Sequence, residues 1–222
     1  MQNLVKQEQF ELEILDCLNS ARLLRGLVFC GGTMLRLCYG LNRFSVDLDF
    51  WLREEMDHGR LFGRIKECLG RYEITDAADK FHTMLFEIRC GYCPRALKIE
   101  IRKETRRLLP ERSIAFSKFS NLQVLLDTVA LKDMMASKID ALVSRKEIRD
   151  AFDMEFLFKK GIKPEASAEK LQKAGQTILS FTRQDYAVKL GSLLEEKERK
   201  YYSSENFKIL RMALDEALAA KQ

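Results

Sequence analysis

The sequence predicts an α+β protein in which a mixed sheet flanked by helices is followed by a C-terminal helical bundle. Three observations carry that expectation. Residues 44–52 and 96–102 alternate apolar and polar side chains with period two, the mark of strands with one buried face. Ahead of them, residues 8–24 repeat apolar side chains at helical spacing. Beyond Pro110 the texture changes to a succession of amphipathic, helix-length segments.

In order along the chain, Phe10, Leu12, Ile14, Leu15, Leu18, Leu23 and Leu24 give the first helix its apolar side. Leu27 to Cys30 is a short apolar run ending in Gly31 and Gly32, which reads as a strand entering a tight turn. Thr33 is placed to cap a short helix over residues 34–39, closed by Gly40 and Asn42. In the strand that follows, Phe44, Val46, Leu48 and Phe50 alternate with Ser45, Asp47, Asp49 and Trp51, so the two aspartates project from the same face. A helix over 57–69 and strands over 72–74, 83–90 and 96–102 complete the first half, the last strand alternating Leu97, Ile99 and Ile101 with Lys98, Glu100 and Arg102. Residues 106–121 read as a linker, and 121–144, 148–159, 166–179, 183–195 and 204–221 as helices. The division expected is a core over residues 1–110 and a helical domain over 111–222.

With 222 residues, 46% of them hydrophobic, the chain can bury a substantial core. No apolar run approaches the roughly 20 residues that span a membrane, and the N-terminus lacks the basic-then-apolar order of a signal peptide, so a cytoplasmic protein without membrane association is expected. The six cysteines, irregularly spaced, are expected to be reduced thiols; Cys90 and Cys93 read as a hairpin turn rather than half of a zinc site. Net charge is +5, and residues 102–112 carry five Lys or Arg against two Glu, either a phosphate-facing patch or a solvated face. His58 and His82 fall outside any motif, and Trp51 is placed to stack on a base or to pack between the domains.

The chemistry centres on Asp47 and Asp49. Two carboxylates on one strand face can hold hard divalent cations, because Mg²⁺ (or Mn²⁺) takes oxygen ligands and shares them with substrate phosphates. Glu100, on the polar face of a later strand, is the candidate third metal ligand. The Gly31-Gly32-Thr33 turn offers close backbone approach and a helix N-terminus to the phosphates of a nucleotide.

Residues 31–50 closely resemble the hallmark of the AbiEii/AbiGii toxins, a branch of the DNA polymerase β-like nucleotidyltransferases. The matching positions are Gly31, Gly32, Thr33, Leu35 and Arg36, then Arg43, Phe44, Ser45, Asp47, Leu48, Asp49 and Phe50. A second block agrees in order and spacing at Lys138, Ala141, Leu142, Arg145, Arg149, Asp150 and Asp153. The resemblance implies a nucleotidyltransferase core and a helical C-terminal domain, with NTP as substrate. It implies that Asp47 and Asp49 ligate metal, that the turn contacts phosphates, and that Lys138 and Asp150 reach the cleft from the helical half. Arg36, Arg43 and Ser45 can contact the nucleotide or serve the fold itself. Val46 stands where the family often has an acidic residue, and Gly-Gly-Thr where the wider superfamily has Gly-Ser. The resemblance further implies an RNA acceptor, such as the 3′ end of tRNA, and a cognate antitoxin protein. A non-catalytic nucleotide-binding module, and transfer to a protein or small molecule, are the competing readings.

Overall fold

The computed structural model describes residues 2–105 and 109–221. Arg106, Arg107 and Leu108, in the basic run and at the start of the expected linker, lie outside the described residues. The chain forms two compact units, one made of Met1–Gly40 and Phe44–Ala130, the other of Leu41–Arg43 and Leu131–Gln222. No helix of the described residues is long and apolar enough to cross a membrane.

The first unit contains α1 (Gln2–Ser20), β1 (Leu27–Cys30), α2 (Gly31–Tyr39), β2 (Asp47–Leu52), α3 (His58–Cys68), β3 (Glu73–Asp79), β4 (Thr83–Arg89), β5 (Leu97–Thr105), β6 (Glu111–Phe116) and β7 (Gln123–Thr128). The strands form one mixed seven-stranded sheet in the order β3-β4-β5-β2-β1-β7-β6, with β2–β5 and β1–β7 parallel and the other pairs antiparallel. Period-two alternation sets its two faces. Leu48 and Phe50 of β2, Leu97, Ile99 and Ile101 of β5, and Met84, Phe86 and Ile88 of β4 are all buried. On that side Phe62 of α3 stacks on Phe86 with ring centroids 4.8 Å apart, and Phe10 of α1 meets Tyr72 edge-on at 5.3 Å. The opposite face carries Asp47, Asp49, Lys98, Glu100 and Glu87, all partly exposed.

Two expectations fail between residues 106 and 130. The expected linker contains β6, and the expected helix over 121–144 is instead β7 followed by α4 (Leu131–Arg145). Val124 and Leu126 are buried while Gln123 and Leu125 are exposed, which is strand alternation; the contiguous apolar run Val124-Leu125-Leu126 disguises it. These two strands extend the sheet, so the compact units part after Ala130 rather than after residue 110. β3 also runs further than expected, to Asp79, and β5 to Thr105.

The second unit comprises α4, α5 (Ile148–Lys159), α6 (Ala168–Leu179), a π-helix (Asp185–Leu190), α7 (Glu196–Glu205) and α8 (Lys208–Ala219). The helix expected over 204–221 begins later, at Lys208, because Asn206 and Phe207 adopt left-handed φ values of 48° and 54° that interrupt the α-helical path. Phe207 is nevertheless fully buried, and Glu155 of α5 anchors the break by accepting hydrogen bonds from Tyr202 Oη at 2.9 Å and the Leu210 amide at 3.3 Å.

Ile99 lies at the centre of β5 between β4 and β2 with no exposed surface. Ile99→Ala is expected to destabilise the protein by about 2–5 kcal/mol, through lost burial and the cavity left behind. Urea denaturation, read as a lower midpoint, checks it.

Candidate functional site

The sheet register assembles three rows of side chains on the polar face. In the first, Glu87 of β4, Lys98 of β5 and Asp47 of β2 stand side by side. In the second, Leu85, Glu100 and Asp49 are followed by Cys30 of β1, and in the third Thr83, Arg102, Trp51 and Val28 line up. Strand pairing thus brings Glu100 next to Asp49, a register the sequence leaves undetermined. Trp51 is buried at 2% exposure, which leaves its ring little surface to offer a base.

The glycine turn touches this face directly. Gly31 has φ +80°, and a Cβ there would collide with Asp49 Oδ2 while standing 3.1 Å from the Asp49 Cβ. Only glycine accommodates both the left-handed backbone and the carboxylate. Thr33 does not cap the helix. Cys30 takes the N-cap position, and Thr33, fully buried, donates its hydroxyl to the main-chain carbonyl of Asp47 at 2.5 Å. The turn and the acidic strand are therefore fixed to each other at two points. Gly32 is buried in the first turn of α2, and Ser45 is half-buried just before β2. Arg36 pairs with Glu8 of α1 and lies over the Phe44 ring at 3.9 Å.

Glu100 is held by cations of its own strand. Lys98 Nζ donates to Glu100 Oε2 at 2.7 Å, and Arg102 Nε stands 3.8 Å from Oε1. The hydrogen bond to Glu100 raises the Lys98 pKa above its ordinary value despite partial burial, with Asp47 and Asp49 adding to it. Among the described residues no group of three or more His, Cys, Asp or Glu side chains gathers closely enough to hold a metal ion by itself. A two-carboxylate donor set still fits Mg²⁺, which in nucleotide sites is held by one or two carboxylates plus substrate phosphates. Asp47 and Asp49 form such a set, two apart on one strand face.

The second motif block forms an ion-pair network inside the second unit. Arg43 donates twice to Asp153, from Nε and Nη2 at 2.7 Å each. Lys138 Nζ lies 2.6 Å from Asp153 Oδ2 and 3.1 Å from Asp150 Oδ1, and Arg145 makes a bidentate pair with Asp150 at 2.7 Å. Both aspartates are fully buried and Lys138 is 5% exposed. Burial opposes ionisation of either aspartate, yet their pKa values fall below the ordinary 3.8: Arg145 and Lys138 outweigh it at Asp150, and Arg43 and Lys138 at Asp153. Of the basic run, Lys103 pairs with Asp79 at 2.7 Å and Arg112 with Asp127 at 2.8 Å, so its described members bind carboxylates of the fold.

Residues 13–220 match the family described as Nucleotidyl transferase AbiEii toxin, Type IV TA system. The chain belongs to the AbiEii family. It also resembles a nucleotidyltransferase candidate from H. pylori, with a TM-score of 0.58 at 18% identity over 94% of this chain and 96% of that chain, which shows a shared fold. JHP933 from Helicobacter pylori aligns at 22% identity over 93% of this chain and 96% of that one, with a TM-score of 0.49. A search of curated proteins returns no match. AbiEii membership accounts for both motif blocks, but the surroundings of three side chains do not follow from the sequence. Lys98 is one. The others are Gln7 and Glu11 of α1, 1% and 0% exposed, whose side-chain polar atoms have no hydrogen-bond partner among the described residues. Burial pushes the Glu11 pKa well above the carboxylate range; repulsion from Glu8 adds to this, Arg36 opposes it, and Asp47 raises it further. Helical periodicity places both residues beside apolar positions, the one sequence signal that they face inward.

Two expectations arise for this AbiEii chain. Gly31→Ala is expected to cost about 1–3 kcal/mol, measured by chemical denaturation, because the new side chain meets both an unfavourable φ and the Asp49 carboxylate. For Asp150 and Asp153 the folded pKa values lie below the unfolded 3.8, so their stabilisation is complete above that value and is lost as pH falls through the folded values. Wild type should therefore lose stability steeply below about pH 4, and an Asp153→Asn variant, already weaker at pH 7, should show a shallower acid decline in thermal melts.

Proposed function

We propose that this AbiEii-family chain transfers a nucleoside monophosphate from a nucleoside triphosphate to an acceptor hydroxyl on RNA, in particular the 3′ end of tRNA, and acts in the cytoplasm as a toxin opposed by a cognate antitoxin. The observation that carries the reading is the juxtaposition of Asp47, Asp49 and Glu100 on adjacent register positions beside a glycine turn that only Gly31 can make. A divalent cation, Mg²⁺ or Mn²⁺, would be held by Asp47 and Asp49 with Glu100 as third ligand, and would neutralise charge on the transferring phosphoryl group and the departing pyrophosphate. The chain's own residues supply the rest. Gly31 and Gly32 admit the triphosphate close to the backbone, where the amides opening α2 favour an anion. Thr33 keeps the turn in register with the acidic strand. The acceptor oxygen bonds to the α-phosphorus as the bond to pyrophosphate breaks.

Arg36 and Arg43 enter this reading as internal pairs that hold α1 to α2 and the 41–43 segment to α5. Ser45, half-buried ahead of Asp47, is the polar side chain left to meet the nucleotide. Lys138 and Asp150 keep the second motif block assembled, and for Lys138 to touch a triphosphate it must leave two aspartates 2.6 and 3.1 Å away. The net charge of +5 supports a polyanionic acceptor over a small neutral one.

Incubation with each labelled NTP, Mg²⁺ and total RNA is the direct test. Label in the tRNA fraction is expected, with Asp49→Ala abolishing it while shifting the melting temperature by no more than a surface substitution does. Undiminished transfer by Asp49→Ala would remove the acidic strand from the chemistry. Label only on protein or small molecules would move the acceptor.

A further inference from the structure

The mixed charge of the polar sheet face points to a role for a residue that neither motif block contains. Lys98 stands between Glu87 and Asp47 in its row, and its ammonium reaches along its own strand to Glu100 at 2.7 Å. Arg102, one alternation further along, stands 3.8 Å from the other Glu100 oxygen. Around one small patch the register therefore places the carboxylates of Asp47, Asp49, Glu100 and Glu87 and the cations of Lys98 and Arg102. The pairing is not a rigid buried bridge: Lys98 is 43% exposed, Glu100 23% and Arg102 49%, so either partner can turn away into solvent at little cost.

We propose that Lys98 is the resident counter-ion of this site: it holds Glu100 in the free protein and must release it before Glu100 can join Asp47 and Asp49 around a divalent cation. The inference rests on the metal-holding reading given above. Lys98 stays protonated throughout; what changes is which anion it faces. While Lys98 engages Glu100, that carboxylate is withheld from a cation, and the Lys98 ammonium repels the incoming ion at the same time. The phosphates of an incoming nucleotide provide a new anionic partner for Lys98. Metal and nucleotide then favour each other's binding, because each removes what the other must displace. Lys98 acts here as a positioning residue, through Glu100.

The test is Mn²⁺ binding to the full-length protein without nucleotide, read by the electron paramagnetic resonance signal of free Mn²⁺, for wild type, Lys98→Met, Lys98→Arg, Asp49→Ala and the Lys98→Met/Asp49→Ala double variant. Removing an ammonium a few ångströms from the carboxylates is expected to tighten Mn²⁺ binding on the order of tenfold in Lys98→Met. Lys98→Arg keeps the charge and should remain close to wild type. Asp49→Ala should abolish the tight binding in the Lys98→Met background. Equal or weaker Mn²⁺ affinity in Lys98→Met, with binding that still depends on Asp49, would overturn the counter-ion role and leave the metal site standing. Absence of Asp49-dependent binding in both wild type and Lys98→Met would overturn the metal-holding reading itself.

Discussion

Where the backbone of Gly31 passes beneath the Asp49 carboxylate there is no room for a Cβ, and the backbone there is left-handed. This close approach sets the geometry that the rest of the first unit follows. β1 must end at Cys30 and α2 must begin at once, so the helix opens beside the acidic strand. The Thr33 hydroxyl then fixes the Asp47 carbonyl, leaving β2 little freedom to slip against the turn. A one-residue slip would send Asp47 and Asp49 to the face filled by Leu48 and Phe50, burying carboxylates among apolar side chains. Apolar burial on one face thus enforces the acidic character of the other.

The second unit handles charge in the opposite manner. Asp150 and Asp153 are wholly buried and are surrounded by Arg43, Lys138 and Arg145, each within hydrogen-bond distance. Removing any one cation leaves a buried carboxylate short of a partner, which is far more costly than losing a surface pair. The network spans distant sequence, since Arg43 lies between α2 and β2 yet counts with the helical unit. A block that sequence resemblance places in a cleft is also, in this fold, an internal strut between α4, α5 and the 41–43 segment.

What the sequence made legible follows from periodicity. The strands β2, β4 and β5, the glycine turn and most helices carry clean period-two or helical patterns, and Asp47 and Asp49 can be put on one face without a structure. β7 was hidden because Val124, Leu125 and Leu126 run together and lead straight into α4. The neighbour of Asp49 was hidden for another reason: register between β2 and β5 depends on tertiary packing, and β2 pairs with a strand about fifty residues later. The role of Thr33 turned on a main-chain carbonyl that no pattern of side chains reports. The carboxylate partners of Arg43 and Arg36 lie 110 and 28 residues away, so neither ion pair could be read from local sequence pattern.

The contrast between the two acidic clusters bears on which of them can do chemistry. Buried Arg43 and Lys138 and the half-exposed Arg145 already surround Asp150 and Asp153, whose pKa values lie below the ordinary 3.8 because those cations outweigh burial. Such carboxylates have little left to offer a mobile ion, because recruiting one would mean breaking bonds that keep the helices together. Asp47 and Asp49 remain partly exposed, on the strand side opposite the apolar core. Glu100, beside them, pairs among the described residues with Lys98 and Arg102, both of which reach into solvent. An exposed pair exchanges partners cheaply where a buried one does not. On the proposed reading of the acidic strand, exchangeability, more than the number of carboxylates, is what distinguishes its carboxylates from those of the buried network.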